Sequence, residues 1–310
     1  MATDLKITAL AGGVGGAKLV DGLAQVLSPT ALSIIVNVGD DFEHLGLKVC
    51  PDLDTVCYTL ADRANQATGW GLANETWNTL ESMTELGGPT WFRLGDRDLG
   101  THLERTRRLR AGGRLSEITQ DFCQAWGVEH KVYPVTDADV PTRVYSNEGE
   151  LAFQDYFVRR QCSPQVRGFS FVGAESARPA PGVLNALQSA DWVIICPSNP
   201  WVSIDPILAI GGVRDAVMTN KVLAVSPIIG GRTIKGPAAK MYLELGIVPS
   251  AKAVAAHYGK LLDAYVMDER FTDIVKEIRA SGVSVLVTDT LMMTRADRKR
   301  LALKVIEFCN

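Results

Sequence analysis

Histidine is scarce in this chain and cysteine is scattered. The four histidines (His44, His102, His130, His257) have no metal-ligand spacing, which excludes a histidine-based zinc site. The six cysteines contain no C-x-x-C pair, so neither a thiolate metal centre nor a dithiol redox motif is indicated. They read instead as small buried apolar residues. No apolar run approaches the ~18 residues of a membrane span. The N-terminus, "MATDLKITAL", lacks the basic and apolar regions of a signal peptide. A net charge of -3 excludes a nucleic-acid binder that works by bulk charge, so any anionic ligand must be held by local donors. No Ser-His-acid or Cys-His order stands out. The expectation is a reduced cytoplasmic protein with neither nucleic acid nor membrane as partner.

What is present is an alternation of strands and helices. "LKITALA" is a buried strand ending in glycines. "AKLVDGLAQVL" sets Leu19, Leu23, Val26 and Leu27 on one helical face, and "ALSIIVNVGDD" is a second strand with a polar tip. From residue 55 to 126 strand-like runs vanish and polar helical periods dominate. After "VEHKVYPVTD" returns to strand, "PTRVYSNEGELAFQDYFV" predicts a hairpin around the turn "NEG". The second half alternates again, through "DWVIICPSNP", "KVLAVSPIIGG", "DAYVMDE" and "VSVLVTDT", and closes on the helix "RADRKRLALKVIEFC". This pattern predicts an α/β fold: a doubly wound, mainly parallel, Rossmann-like sheet over 1–54 and 127–310, with a helical insertion at 55–126.

The turn "GGVGGAKL" puts Gly12, Gly13, Val14, Gly15 and Gly16 before Lys18. A Walker loop would need a hydroxyl where Leu19 stands, and a dinucleotide fingerprint would need a third glycine where Lys18 stands. Asn37 also occupies the place of the ribose-binding acid, which weighs against an NAD-dependent oxidoreductase. What both loops share survives. Glycines permit close backbone approach, and a helix N-terminus favours a phosphate. Lys18 adds a full charge, so the turn is expected to hold the phosphates of a nucleotide. A tight turn with no ligand is the plainer alternative.

Other strand tips should gather at the same rim. Asp40 and Asp41 end "NVGDD". Asp52 and Asp54 follow in "CPDLDTV", and paired carboxylates near phosphate suggest Mg²⁺. Asp54 equally suits a helix N-cap. "FRLGDRDLGTH" collects Arg93, Asp96, Arg97, Asp98 and His102 around glycines, which favours a binding loop, with His102 itself structural. "CPSNPWVS" offers Ser198, Asn199 and Ser203. "SPIIGGRTIKG" offers Ser226, Pro227, Ile228 and Lys235.

Together, "GGVGGAKL", "PDLDTV", "LGDRD", "QVRG", "PSNP", "AVSPIIGG", "KGPAAK", "MDER" and "TDTLM" run in an order that resembles the 2-phospho-L-lactate transferases, from about residue 7 to 306. The resemblance implies coenzyme F-420 biosynthesis. The donor would be a guanosine diphosphate esterified to a three-carbon acid. The acceptor would be 7,8-didemethyl-8-hydroxy-5-deazariboflavin, whose ribityl hydroxyl attacks with release of GMP, and Mg²⁺ would be required. It also implies that Asp54 and Arg93 contact the deazaflavin. Arginine stands at the latter place where the family often has lysine. On this basis Asp54 is expected to be the catalytic residue and, with Asp40 and Asp41, to hold Mg²⁺. Arg97 would assist Arg93 on the acceptor. The glycine turn, Lys18, Ser198, Asn199, the Ser226–Ile228 stretch and Lys235 would take the nucleotide. Tyr58 and Trp91 are expected to wall the flat ring, and Trp70 to be helical core. A homodimer is expected, as is common in the family. The motifs do not separate lactate, enolpyruvate and glycerate donors. A UDP-sugar-binding regulatory relative is the remaining alternative; it would need neither "PDLD" with "LGDRD" nor "PSNP".

Overall fold

The computed structural model describes residues 5–229, 232–233, 238–270 and 274–310. Strand β1 (Ile7–Ala11) is buried along its whole length, as a parallel strand covered on both faces must be. Helix α1 (Gly13–Ala24) leads back to β2 (Leu32–Val36). A short hairpin, β3 (Phe42–His44) and β4 (Leu47–Val49), then precedes α2 (Pro51–Leu60). Proline at the first helical position fits there because that amide has no intrahelical partner.

The strandless stretch holds α3 (Asn78–Glu85), α4 (Asp96–Arg110) and α5 (Leu115–Ala125). Helix α2 crosses the anticipated boundary at 54/55, so the insertion proper starts after residue 60. The reason is burial: Leu53, Val56 and Cys57 pack into the main core and carry the helix on. At its other end α5 sends Leu115 and Cys123 into the same core, so the insertion is sewn to the sheet.

Strand β5 (Lys131–Pro134) returns to the sheet. The predicted hairpin forms as β6 (Thr142–Ser146) and β7 (Gly149–Ala152), but its second arm is short. At Asp155–Arg159 the chain takes one π-helical segment instead. The "QVRG" motif lies in β8 (Val166–Phe171), which pairs antiparallel with β6 as a third strand the sequence did not announce. Then come β9 (Trp192–Ile195), β10 (Lys221–Val225), the small antiparallel pair β11 (Ile228–Ile229) and β12 (Arg232–Thr233), β13 (Ala264–Asp268) and β14 (Ser284–Thr288). A long helix, Arg295–Cys309, closes the chain.

The seven-stranded sheet runs β14-β13-β10-β9-β1-β2-β5, all parallel. The chain winds outward through β2 and β5, then restarts at β9 and winds the other way. The topological switch point therefore lies between β1 and β9, where ligands bind in doubly wound sheets. Among the described residues no helix is long and apolar enough to cross a membrane.

Candidate active site

The carboxyl ends of β1, β2, β9, β10 and β14 open into one cavity of about 760 Å³. Its floor is the start of α1. Gly13 sits at φ +63, a left-handed conformation that favours glycine. A Cβ on Gly15 would run into the Pro197 carbonyl oxygen, and one on Gly12 would lie 2.6 Å from Asp52 Oδ2. The glycines thus serve packing as well as the open helix end. Gly16 belongs wholly to packing: it is off the cavity, and a Cβ there would lie 2.8 Å from Ser198 Oγ.

Lys18 stands in the second turn of α1 rather than the first and reaches the cavity. Its Nζ donates to the Met292 carbonyl at 2.8 Å, so it joins the tip after β14 to the helix start. Ser198 donates to the Gly12 carbonyl at 2.7 Å. Asn199 Oδ1 accepts from the Trp201 and Val202 amides and caps the short π-helix Pro200–Ile204. The Ser226 hydroxyl accepts from the Ile228 amide at 3.1 Å and closes its own loop. Ser198, Asn199, Ser226 and Pro227 line the cavity, whereas Ile228 is buried in the core. Lys235 lies outside the described residues.

The expected metal trio is not brought together. Asp40 faces the cavity, and Asp41 turns away, with Lys48 Nζ 3.8 Å from its Oδ2. Asp54 lies inside α2, so it is not the N-cap. Two residues on a helix are separated by about 200°, so Asp54 and Asp52 leave α2 on opposite faces. It is Asp52 that meets Asp40: the Asn37 side-chain amide donates to Asp52 at 2.9 Å and to Asp40 at 3.2 Å. Burial pushes the Asp40 carboxyl well above the usual range, and the charges of Asp52 and Asp41 push it further. Burial holds Asp52 at about 6, against donors from Asn37 and the Gly13 amide. Asp41 is pushed up to about 7, again mainly by burial, with Lys48 opposing. Two mutually repelling carboxylates, Asp52 buried and Asp40 partly exposed to the cavity, beside an open helix end fit Mg²⁺, which takes one or two protein carboxylates plus phosphate oxygens. Among the described residues no group of three or more His, Cys, Asp or Glu is placed to hold a metal, so a closed protein cage is not offered.

Asp54 is held differently. Arg105 of α4, 2% exposed, grips it with both terminal nitrogens; Nη1 donates to Oδ2 at 3.0 Å and Nη2 to Oδ1. Such a fork is a strong, geometry-fixing pair. Arg105 Nη1 also lies 3.2 Å from His102 Nδ1. A guanidinium only donates, so Nδ1 accepts and the imidazole proton sits on Nε2, 3.5 Å from Asp98 Oδ1. Tyr58 donates to the same Asp98 oxygen at 2.7 Å. Burial raises the Asp98 carboxyl, but His102, Tyr58 and the Arg105 charge outweigh it and leave it below the usual range. This network clasps α2 to α4. His102 is buried within this network and also borders the cavity. Arg105 was not singled out by the sequence, because nothing in "ERTRRLR" distinguishes it from the arginines beside it.

On the insertion side the walls are aromatic. Trp91 packs edge-on against His44 with centroids 5.2 Å apart, and Phe92 joins them. Trp70 is 47% exposed on the cavity rim, not helical core, because it sits in the loop between α2 and α3 where nothing covers it. Phe153 and Phe157 stack at 5.3 Å and line the same cavity, Phe157 within the π-helical segment and Phe153 just before it. Arg93 reaches the cavity from above the Trp77 ring, 4.5 Å from its centroid. Arg97 does not reach it: its side chain is exposed and donates to the Ala73 carbonyl. The cavity therefore pairs a phosphate- and cation-suited floor with a flat aromatic compartment.

The family described as CofD, 2-phospho-L-lactate transferase, matches residues 7–307. A phosphoenolpyruvate transferase of Thermobifida fusca (strain YX) is 45% identical over 295 residues, 91% of this chain and 90% of that protein. One from Streptomyces coelicolor is 44% identical over 301 residues, 94% of each chain. A crystal structure of a UPF0052-family protein from Bacillus halodurans shares the fold, with a TM-score of 0.64 at 16% identity over 99% of this chain and 100% of that one. By a match over nearly its whole length, this chain belongs to the CofD family of 2-phospho-L-lactate transferases.

Proposed function

We propose that this transferase moves a phosphoenolpyruvyl group from an enolpyruvyl ester of guanosine diphosphate to the ribityl hydroxyl of 7,8-didemethyl-8-hydroxy-5-deazariboflavin, in coenzyme F-420 biosynthesis. The observation that carries this reading is the single cavity in which a glycine-started helix, the Asp40–Asp52 pair and an aromatic compartment meet. The enolpyruvyl donor is favoured over lactyl or glyceryl because the similar proteins at 38–45% identity are named phosphoenolpyruvate transferases.

In this reading the acceptor oxygen bonds to the phosphorus that carries the acid. The bond from that phosphorus to the bridging oxygen breaks, and GMP leaves with the oxygen. Such transfers need positioning and charge neutralisation more than covalent chemistry. The α1 N-terminus and Lys18 receive the diphosphate. Asp40 and Asp52 are the residues that would hold Mg²⁺, which supplies charge neutralisation when bound. Asp54, fixed by Arg105, and Arg93 orient the acceptor. The aromatic walls receive its tricycle by stacking.

The test is mass spectrometry of the product formed by the purified chain from the deazaflavin, Mg²⁺ and each of the three guanylated acids. A dehydro product from the enolpyruvyl donor, formed fastest and abolished by chelator, is expected. No product from any donor would overturn the reading.

A further inference from the structure

Among the described residues four carboxylates line the cavity, and three of them are already engaged. Asp40 and Asp52 share Asn37, and Asp54 fills the Arg105 fork. Asp98 differs. Its Oδ1 takes the Tyr58 hydroxyl at 2.7 Å and faces His102 Nε2 at 3.5 Å. Among the described residues nothing donates to its Oδ2, and the closest glycine, Gly71, leaves room there: a Cβ built on Gly71 would stand 4.0 Å from that oxygen. The side chain is only 11% exposed, so water alone is a poor substitute for a fixed donor.

We propose that Asp98 is a second acceptor-binding carboxylate, taking a hydroxyl or ring N–H of the flat alcohol on Oδ2. The inference rests on the functional reading above and adds a residue to it. Tyr58 is a positioning residue: its hydroxyl occupies Oδ1, with His102 Nε2 at 3.5 Å beside it, and so leaves the other oxygen for the cavity. A carboxylate oxygen that faces the cavity with no protein donor favours ligands that bring one.

The test is a fluorescence titration of the deazaflavin into wild type, Asp98→Asn and Asp98→Glu, with GDP-induced thermal shift as the control for an intact nucleotide half. Loss of one charge-assisted hydrogen bond should weaken acceptor binding about tenfold or more in Asp98→Asn. The GDP shift should stay as in wild type. Asp98→Glu, which keeps the charge beside Tyr58 and His102 but moves the oxygen, should also weaken binding and serves if the asparagine variant does not fold. Equal deazaflavin affinity in wild type and a folded variant overturns the role of Asp98 and leaves the functional reading standing. No binding by wild type overturns the functional reading, and this inference with it.

Discussion

At the scale of the residue, burial decides what each carboxylate is for. Asp52 and Asp54 are two positions apart and chemically identical, yet one is pushed up by burial and the other is locked to a guanidinium. The raised Asp52 pKa has a consequence for stability. A carboxyl whose pKa rises on folding stabilises the fold in its protonated form. That contribution is complete below the unfolded value near 3.8 and is lost as pH rises through about 6. Metal-free wild type should therefore lose stability relative to Asp52→Asn as pH rises from about 3.5 to about 7, by on the order of 2–3 kcal/mol. Urea unfolding of both chains across that range checks it; parallel curves would mean that Asp52 titrates normally.

At the scale of the element, short segments place the chemistry. The π-helix Pro200–Ile204 starts at the carboxyl end of β9 and carries the cavity residues Val202 and Ser203. Asn199 begins it by accepting two backbone amides, at 3.0 and 3.4 Å. Replacing such a cap by alanine costs roughly 0.5–2 kcal/mol. Asn199→Ala should accordingly lower the melting temperature and, because Ser198 ties the same loop to Gly12, weaken GDP binding. Calorimetric titration with GDP reads the second effect; unchanged affinity with a lowered melting point would confine Asn199 to stability. The clasp between α2 and α4 works on the same scale, since Arg105, His102 and Asp98 stand at three- and four-residue spacings on one face of α4.

At the scale of the whole molecule, one core runs through the sheet and out into the insertion. All six cysteines are buried. Burial lifts the Cys50 thiol well above its usual range and pushes Cys309 up to about 12. Cys57 and Cys123 approach to 3.6 Å between α2 and α5, and that contact, with burial, raises Cys57 as well. Thiolate is the reactive form. The native chain should hence react negligibly with Ellman's reagent, and all six thiols should appear once denaturant is added. A rapid native reaction of Cys57 or Cys123 would show that the insertion opens away from the sheet.

The amino-acid order alone set the parallel sheet, its strand tips and the transferase family, because buried parallel strands are continuous apolar runs and their tips are polar clusters. It also gathered Gly12, Gly15, Asp40 and Ser198 on one cavity, since a doubly wound topology must gather those tips, while Arg93 was expected there only from the family resemblance. Only the folded chain decided that Asp52, not Asp54 or Asp41, stands with Asp40, that Arg105 lies buried against Asp54, and that Trp70, Phe153 and Phe157 wall the site while Arg97 does not. Those outcomes depend on which face of a helix turns inward and on which residues a loop leaves uncovered. Helix rotation and loop placement are fixed by packing against elements distant in sequence, and no local pattern encodes them.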